Sequence, residues 1–155
     1  MESRFARKQG TSATASSPSN RAAGSSLGLA ATSTPHLIRE LRRGLAFRAL
    51  EFLSSESGIS VSEIADLVEI PPRTLARRKA SGRLAPAESE RLLRVSRVFE
   101  LAVGLFDGEV AEALAWLRTP RRTLAGSTPL AYCATEVGAR DVETLIGQLE
   151  HGVFP

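Results

Sequence analysis

A chain of 155 residues, 43% hydrophobic and 24% charged, carries enough apolar mass for a packed core. No stretch approaches the roughly 18 uninterrupted apolar residues of a membrane helix, and the first apolar runs are broken too early for a secretory leader. A single cysteine, Cys133, excludes an internal disulfide and a cysteine-based zinc site, and suits a reducing, cytoplasmic setting. The net charge is +3, and of 20 basic residues only Lys8 and Lys79 are lysines. Such an arginine-heavy balance suits bidentate recognition of phosphates, base edges or carboxylates, and equally reflects a GC-rich coding sequence.

Residues 1–34 are dominated by Ser, Thr, Ala and Gly, with no sustained period and little bulk to offset the entropy of ordering. They read as an unstructured arm. Its one acid, Glu2, faces Arg4, Arg7, Lys8 and Arg21, so the arm can trail along phosphates or remain a solvated tail.

From Thr34 the text is helical. Thr34 and Pro35 suit a cap and first turn, and Gly44 closes a helix near Arg43. Leu45, Ala49, Leu50, Phe52 and Leu53 form a second stripe, ended by Gly58. Ser60-Val61-Ser62-Glu63 reads as a capping box, with Glu63 reaching back to the Ser60 amide, before a two-turn helix that buries Ile64, Leu67 and Val68. Pro71-Pro72 opens a third short helix, to about Ala80, with Gly82 beyond it. Pro86 starts a long helix to about Phe106, carrying Leu92, Val95, Phe99, Ala102 and Phe106 on one face. After Asp107-Gly108, Glu109 to Arg118 forms a helix with Leu114, Trp116 and Leu117. Thr128-Pro129 begins a short one, and Ala139 to about Glu150 makes the last. No period of two appears, so the predicted fold is all-α: a disordered arm over 1–34, a helix-turn-helix unit with its long connecting helix over 35–106, and a C-terminal helical unit over 107–155.

The helix-turn-helix expectation rests on spacing more than on charge. Counted from Val61, apolar residues fall at places four, eight, ten and fifteen (Ile64, Val68, Ile70 and Leu75), and the fifth, where the helices cross, holds the small Ala65. The ninth place normally wants glycine because the backbone turns through positive φ, and here it is Glu69. Either that strain, about 1 kcal/mol, is tolerated or the turn is built differently. The segment Pro71–Leu84 carries five basic residues and no acid. Arg73, Thr74 and Arg77 are placed to read base edges; Arg78, Lys79 and Arg83 are assigned to phosphate.

Nothing assembles into a catalytic set, so an enzyme is not expected. His36 and His151 lie at opposite ends of the folded region without a metal-binding context. Cys133 and Trp116 read as core residues, and Gly126-Ser127-Thr128-Pro129 lacks the lysine and strand of a phosphate loop.

Several pieces together resemble the Xre-type antitoxins (Xre/MbcA/ParS-like) that partner RES-domain toxins in type II toxin–antitoxin operons. They are Arg73-Thr74-Leu75, Arg77-Arg78-Lys79, Gly82-Arg83-Leu84 and Glu88-Ser89-Glu90-Arg91-Leu92, then Trp116-Leu117, Pro120, Leu124, Gly126, Thr128-Pro129-Leu130, Thr135, Gly138, Val142 and Glu150-His151-Gly152-Val153. The match spans about residues 36–155. It implies a homodimer whose C-terminal domain covers the active site of an NAD⁺-degrading toxin, with no cofactor of its own, and which represses its operon through operator DNA. Relatives tend to have Asn where this chain has Arg121. Carried onto this chain, the toxin-facing surface runs from Arg140 to the end, with Glu150, His151, Gly152, Val153 and Phe154; Arg121 and Arg122 either pair with acidic partner groups or stay solvated. The alternative reading is a helix-turn-helix-derived adaptor that binds protein and not DNA.

Overall fold

The computed structural model describes residues 23–30 and 33–153. Among the described residues eight α-helices follow in chain order: α1 (Thr34–Arg43), α2 (Arg48–Ser57), α3 (Val61–Leu67), α4 (Pro72–Ser81), α5 (Pro86–Leu105), α6 (Val110–Leu117), α7 (Pro129–Tyr132) and α8 (Glu136–Glu150). Short 3-10 turns lie at Ser25–Leu27 and Arg122–Leu124. Among the described residues the only β pairing is one antiparallel bridge between Ala46 and Arg83, and no helix is long and apolar enough to cross a membrane.

Local chemistry explains most boundaries. Pro72, Pro86 and Pro129 each sit in a first turn, where the missing amide costs nothing. Ser60, Thr128 and Thr135 accept from the amides of Glu63, Ala131 and Gly138 and cap α3, α7 and α8. Gly58 and Gly82 close α2 and α4 in the left-handed region. Half of the predicted capping box at Ser60 is present. The Glu63 carboxylate turns away to accept from Arg118, the residue that ends α6, at 2.6 Å, because a charged donor binds a carboxylate more strongly than a backbone amide does.

The core is one continuous cluster organised around α5. Leu92, Val95, Val98, Phe99, Ala102 and Val103 are all buried, meeting Leu50, Leu53 and Ile64 from the N-terminal helices and Leu117, Val142 and Ile146 from the C-terminal ones. Charge reinforces the α5–α8 seam: Arg94 donates to Glu136 at 3.0 Å and to the Ala134 carbonyl, and Arg97 donates to Glu143 at 2.6 Å.

Three further sequence expectations need correction. Residues 23–30, assigned to the unstructured arm, lie on the core: Leu27 is buried, and the amide and hydroxyl of Ser26 both donate to the buried Glu100 carboxylate, at 2.9 and 2.6 Å. A local composition argument could not see a partner 74 residues away. Residues 1–22 and 31–32 of that arm lie outside the described residues. The last helix starts at Glu136, three residues before the expected Ala139, because Thr135 caps it. Ser33, not Thr34, precedes α1 as its N-cap residue.

Candidate functional site

The α3–α4 pair forms the expected helix-turn-helix. Ile64, Ala65, Val68 and Ile70 are buried, and the Ile70 amide reaches back to the Ala65 carbonyl at 2.8 Å. Glu69 has φ 58°, so the turn takes its glycine-like path with a glutamate in it, and the local strain of about 1 kcal/mol is tolerated. From α5, Arg91 Nε donates to the Val68 carbonyl at 2.9 Å and stands 4.0 Å from the Glu69 carboxylate.

Helix α4 buries no residue; only Thr74, Leu75 and Arg78 are half-buried. Arg73, Arg77 and Lys79 are exposed and make no hydrogen bond or ion pair among the described residues. Two of the cations assigned to phosphate are engaged within the protein instead. Arg78 forms a two-pronged pair with Glu88, through Nε at 2.9 Å and Nη2 at 3.1 Å. Arg83 donates to the Gly44 carbonyl at 2.6 Å, beside the Ala46–Arg83 bridge. The free basic face of α4 is thus smaller than its charge suggests. Glu88 also accepts from the Ala85 amide at 2.7 Å, capping α5, since Ala85 offers no side-chain acceptor. Burial acts to raise its pKa, but the bonds from Arg78 and Ala85 and the charges of Arg78 and Arg91 outweigh it and hold the carboxyl below its ordinary value.

At the C-terminal end, the Arg122–Leu124 turn packs over α8. The loop is closed by Arg121 N–H donating to the Ser127 carbonyl and Gly126 N–H donating to the Arg121 carbonyl. The Arg121 guanidinium lies over the Trp116 ring, 5.1 Å from its centroid. Trp116, Arg121, Arg122, Thr123, Leu145 and Leu149 line a groove of about 220 Å³. The fold therefore joins Arg121 and Arg122 to the second half of α8. It does not bring Arg140 there: that residue is at the other end of α8, paired with Glu136 at 3.3 Å. Glu150, His151, Gly152 and Val153 are exposed. Gly152 (φ 69°) closes α8 with a Schellman pattern, its amide donating to Leu149 O and the Val153 amide to Gln148 O, which leaves Val153 55% exposed. Phe154 lies outside the described residues.

Cys133 and Trp116 lie in the core, as the sequence places them. Cys133 is buried, its Sγ–H donating to the Leu130 carbonyl, and burial pushes the thiol up to about 12. Trp116 is buried. Among the described residues no cluster of His, Cys, Asp and Glu could hold a metal ion.

Over the described residues the molecule is thus all-helical, and presents a helix-turn-helix with a bare basic face and, on the same core, a second helical surface that carries a groove. Residues 36–97 match the antitoxin Xre-like helix-turn-helix domain, and residues 101–152 match the antitoxin Xre/MbcA/ParS C-terminal toxin-binding domain. The chain is 38% identical to an antitoxin Xre from Yersinia enterocolitica, over 83% of this chain and 87% of that one. It is 35% identical to one from Photorhabdus laumondii, over 82% and 86%. A third, from Pseudomonas putida, is 34% identical over 54% of this chain and 52% of its own. The chain belongs to the Xre family of type II antitoxins.

Proposed function

We propose that this chain neutralises a RES-domain, NAD⁺-degrading toxin by covering its active site with the C-terminal surface, and that as a homodimer it represses its own operon through α4. It acts in the cytoplasm as a binding protein, without catalysis or cofactor. The observation that carries the DNA half of this reading is the bare basic face of α4, where Arg73, Arg77 and Lys79 have no partner among the described residues. Arg73 and Arg77, one helical turn apart, are suited to base edges, Thr74 to a neighbouring base or phosphate, and Lys79 to phosphate. On the protein side, the exposed segment Glu150–Val153 and the groove beneath Arg121 and Arg122 offer apolar contacts next to cations.

Two variants test the reading. Replacing Arg73 and Arg77 together by Ala should abolish binding to a duplex spanning the promoter of the chain's own gene and leave toxin neutralisation intact. Deleting residues 150–155 should do the reverse. A longer deletion from residue 140 would be uninformative, because it removes the buried Val142, Leu145 and Ile146. Wild-type protein that shows no salt-sensitive binding to that duplex favours the adaptor reading instead.

A further inference from the structure

A recognition helix has to be held at a set angle, and α4 lacks the usual means. It buries no side chain of its own, and Leu75, its main apolar contact, is only half-buried. The turn that leads into it contains Glu69 at φ 58°, a conformation that a glutamate leaves readily when nothing restrains it. What restrains it comes from α5. Arg91 Nε donates to the Val68 carbonyl at 2.9 Å, occupying an acceptor at the C-terminus of α3, and the same guanidinium stands beside the Glu69 carboxylate at 4.0 Å. One side chain thus grips both residues at the point where the chain reverses. One turn earlier on α5, Glu88 holds Arg78 at the far end of α4.

We infer that Arg91 is the positioning residue of the helix-turn-helix: it stabilises the strained Val68–Glu69 turn from α5 and so sets the orientation of α4, without itself contacting DNA. This rests on the reading that α4 binds DNA, and it makes a separate prediction about the turn alone. Arg91 is only about one-quarter exposed, and its Nε is already committed to the protein, unlike the bare Arg73 and Arg77.

The test uses the full chain with Arg91→Met, Arg91→Lys, Glu69→Gly and the double variant Arg91→Met/Glu69→Gly. Binding to a duplex spanning the promoter of its own gene is measured as a function of salt. Amide hydrogen exchange is followed at Ile70 and Leu75, and at Leu145 as a remote control. Arg91→Met should weaken binding roughly tenfold while keeping the slope of log affinity against log salt, because no phosphate contact is lost. Arg91→Lys, which keeps a donor, should restore most of the affinity. Adding Glu69→Gly should restore part of it by relieving the strain that Arg91 offsets. Exchange at Ile70 and Leu75 should quicken in Arg91→Met and stay unchanged at Leu145. A salt slope reduced by about one would make Arg91 a phosphate contact and overturn the inference. Unchanged exchange at Ile70 and Leu75 would also overturn it, whether or not the wild-type chain binds the duplex. If Arg91→Met fails to fold, the Arg91→Lys and Glu69→Gly chains still decide: Glu69→Gly must slow exchange at Ile70, and no slowing counts against the inference. Absence of wild-type DNA binding, with the exchange changes present, removes the functional reading and leaves the turn assignment standing.

Discussion

Replacing Glu88 by Ala removes two things at once, the two-pronged pair with Arg78 and the cap on the Ala85 amide. The pair is neither a surface bridge nor a fully buried one, with side chains 10% and 25% exposed. It should therefore exceed the 0–1 kcal/mol of an exposed pair, and fall short of the 3–5 kcal/mol lost when a buried pair is broken, since Arg78 can turn to water. About 1.5 kcal/mol for the pair and about 1 kcal/mol for the cap give roughly 2.5 kcal/mol at neutral pH. For the roughly 130 described residues that is a fall in Tm of about 9 °C. The pH dependence has a definite sign. The folded pKa of Glu88 lies below its ordinary value, so the ionic share is complete above the ordinary carboxyl range and is lost as pH falls through the folded pKa. Thermal unfolding followed by circular dichroism from pH 7 to pH 3 should show the gap between wild type and Glu88→Ala narrowing toward acid. Glu88→Gln, which keeps an acceptor for Ala85, should fall between them. A Tm change below about 2 °C, or a gap that does not vary with pH, would refute the reasoning.

Leu27→Ala should destabilise the chain by about 2–3 kcal/mol in urea unfolding, because Leu27 is 3% exposed within the shared core. A loss under about 0.5 kcal/mol would mean residues 23–30 are not held there. The same substitution at two glycines of α8 should act in opposite directions. A Cβ at Gly138 would collide with the Tyr132 carbonyl oxygen, so Gly138→Ala should cost about 3 kcal/mol or more. Gly147 has open space around it, and Gly147→Ala should raise stability by about 0.5–1 kcal/mol. Equal effects in thermal unfolding would contradict both assignments.

The helices and the helix-turn-helix were legible because their signals are local. Proline in first turns, Ser or Thr caps, and apolar residues at helical spacing act within a few residues of one another. Ala65 and the four apolar positions identified the α3–α4 unit, and Glu69 could be flagged as the strained position from its place in the turn. Contacts between distant segments were not legible. The pairing of Arg78 is one of these, because its charge alone carries no information about Glu88 ten residues on, or about the direction α5 takes after Pro86. The Ser26–Glu100 bonds span 74 residues, so a Ser/Gly-rich stretch that reads as unstructured can still be ordered by one buried carboxylate. Gly152, expected in a partner-binding tail, also ends α8 through its own amide and that of Val153.

The two family matches meet inside α5, between residues 97 and 101, with no loop there to separate them. Along that helix, charged residues recur every third position and between them are committed to four different neighbours. Glu88 holds α4, Arg91 the α3–α4 turn, Arg94 and Arg97 hold α8, and Glu100 holds Ser26. Between them Val95, Val98, Phe99, Ala102 and Val103 belong to one buried cluster that draws on both halves. A cut at the family boundary would leave Val98 and Phe99 without the backbone that places them, and would remove Val142 and Ile146 from the face that Leu92 and Val95 cover. The DNA-facing and partner-facing parts are therefore two surfaces of one folded core, each incomplete without the helix they share.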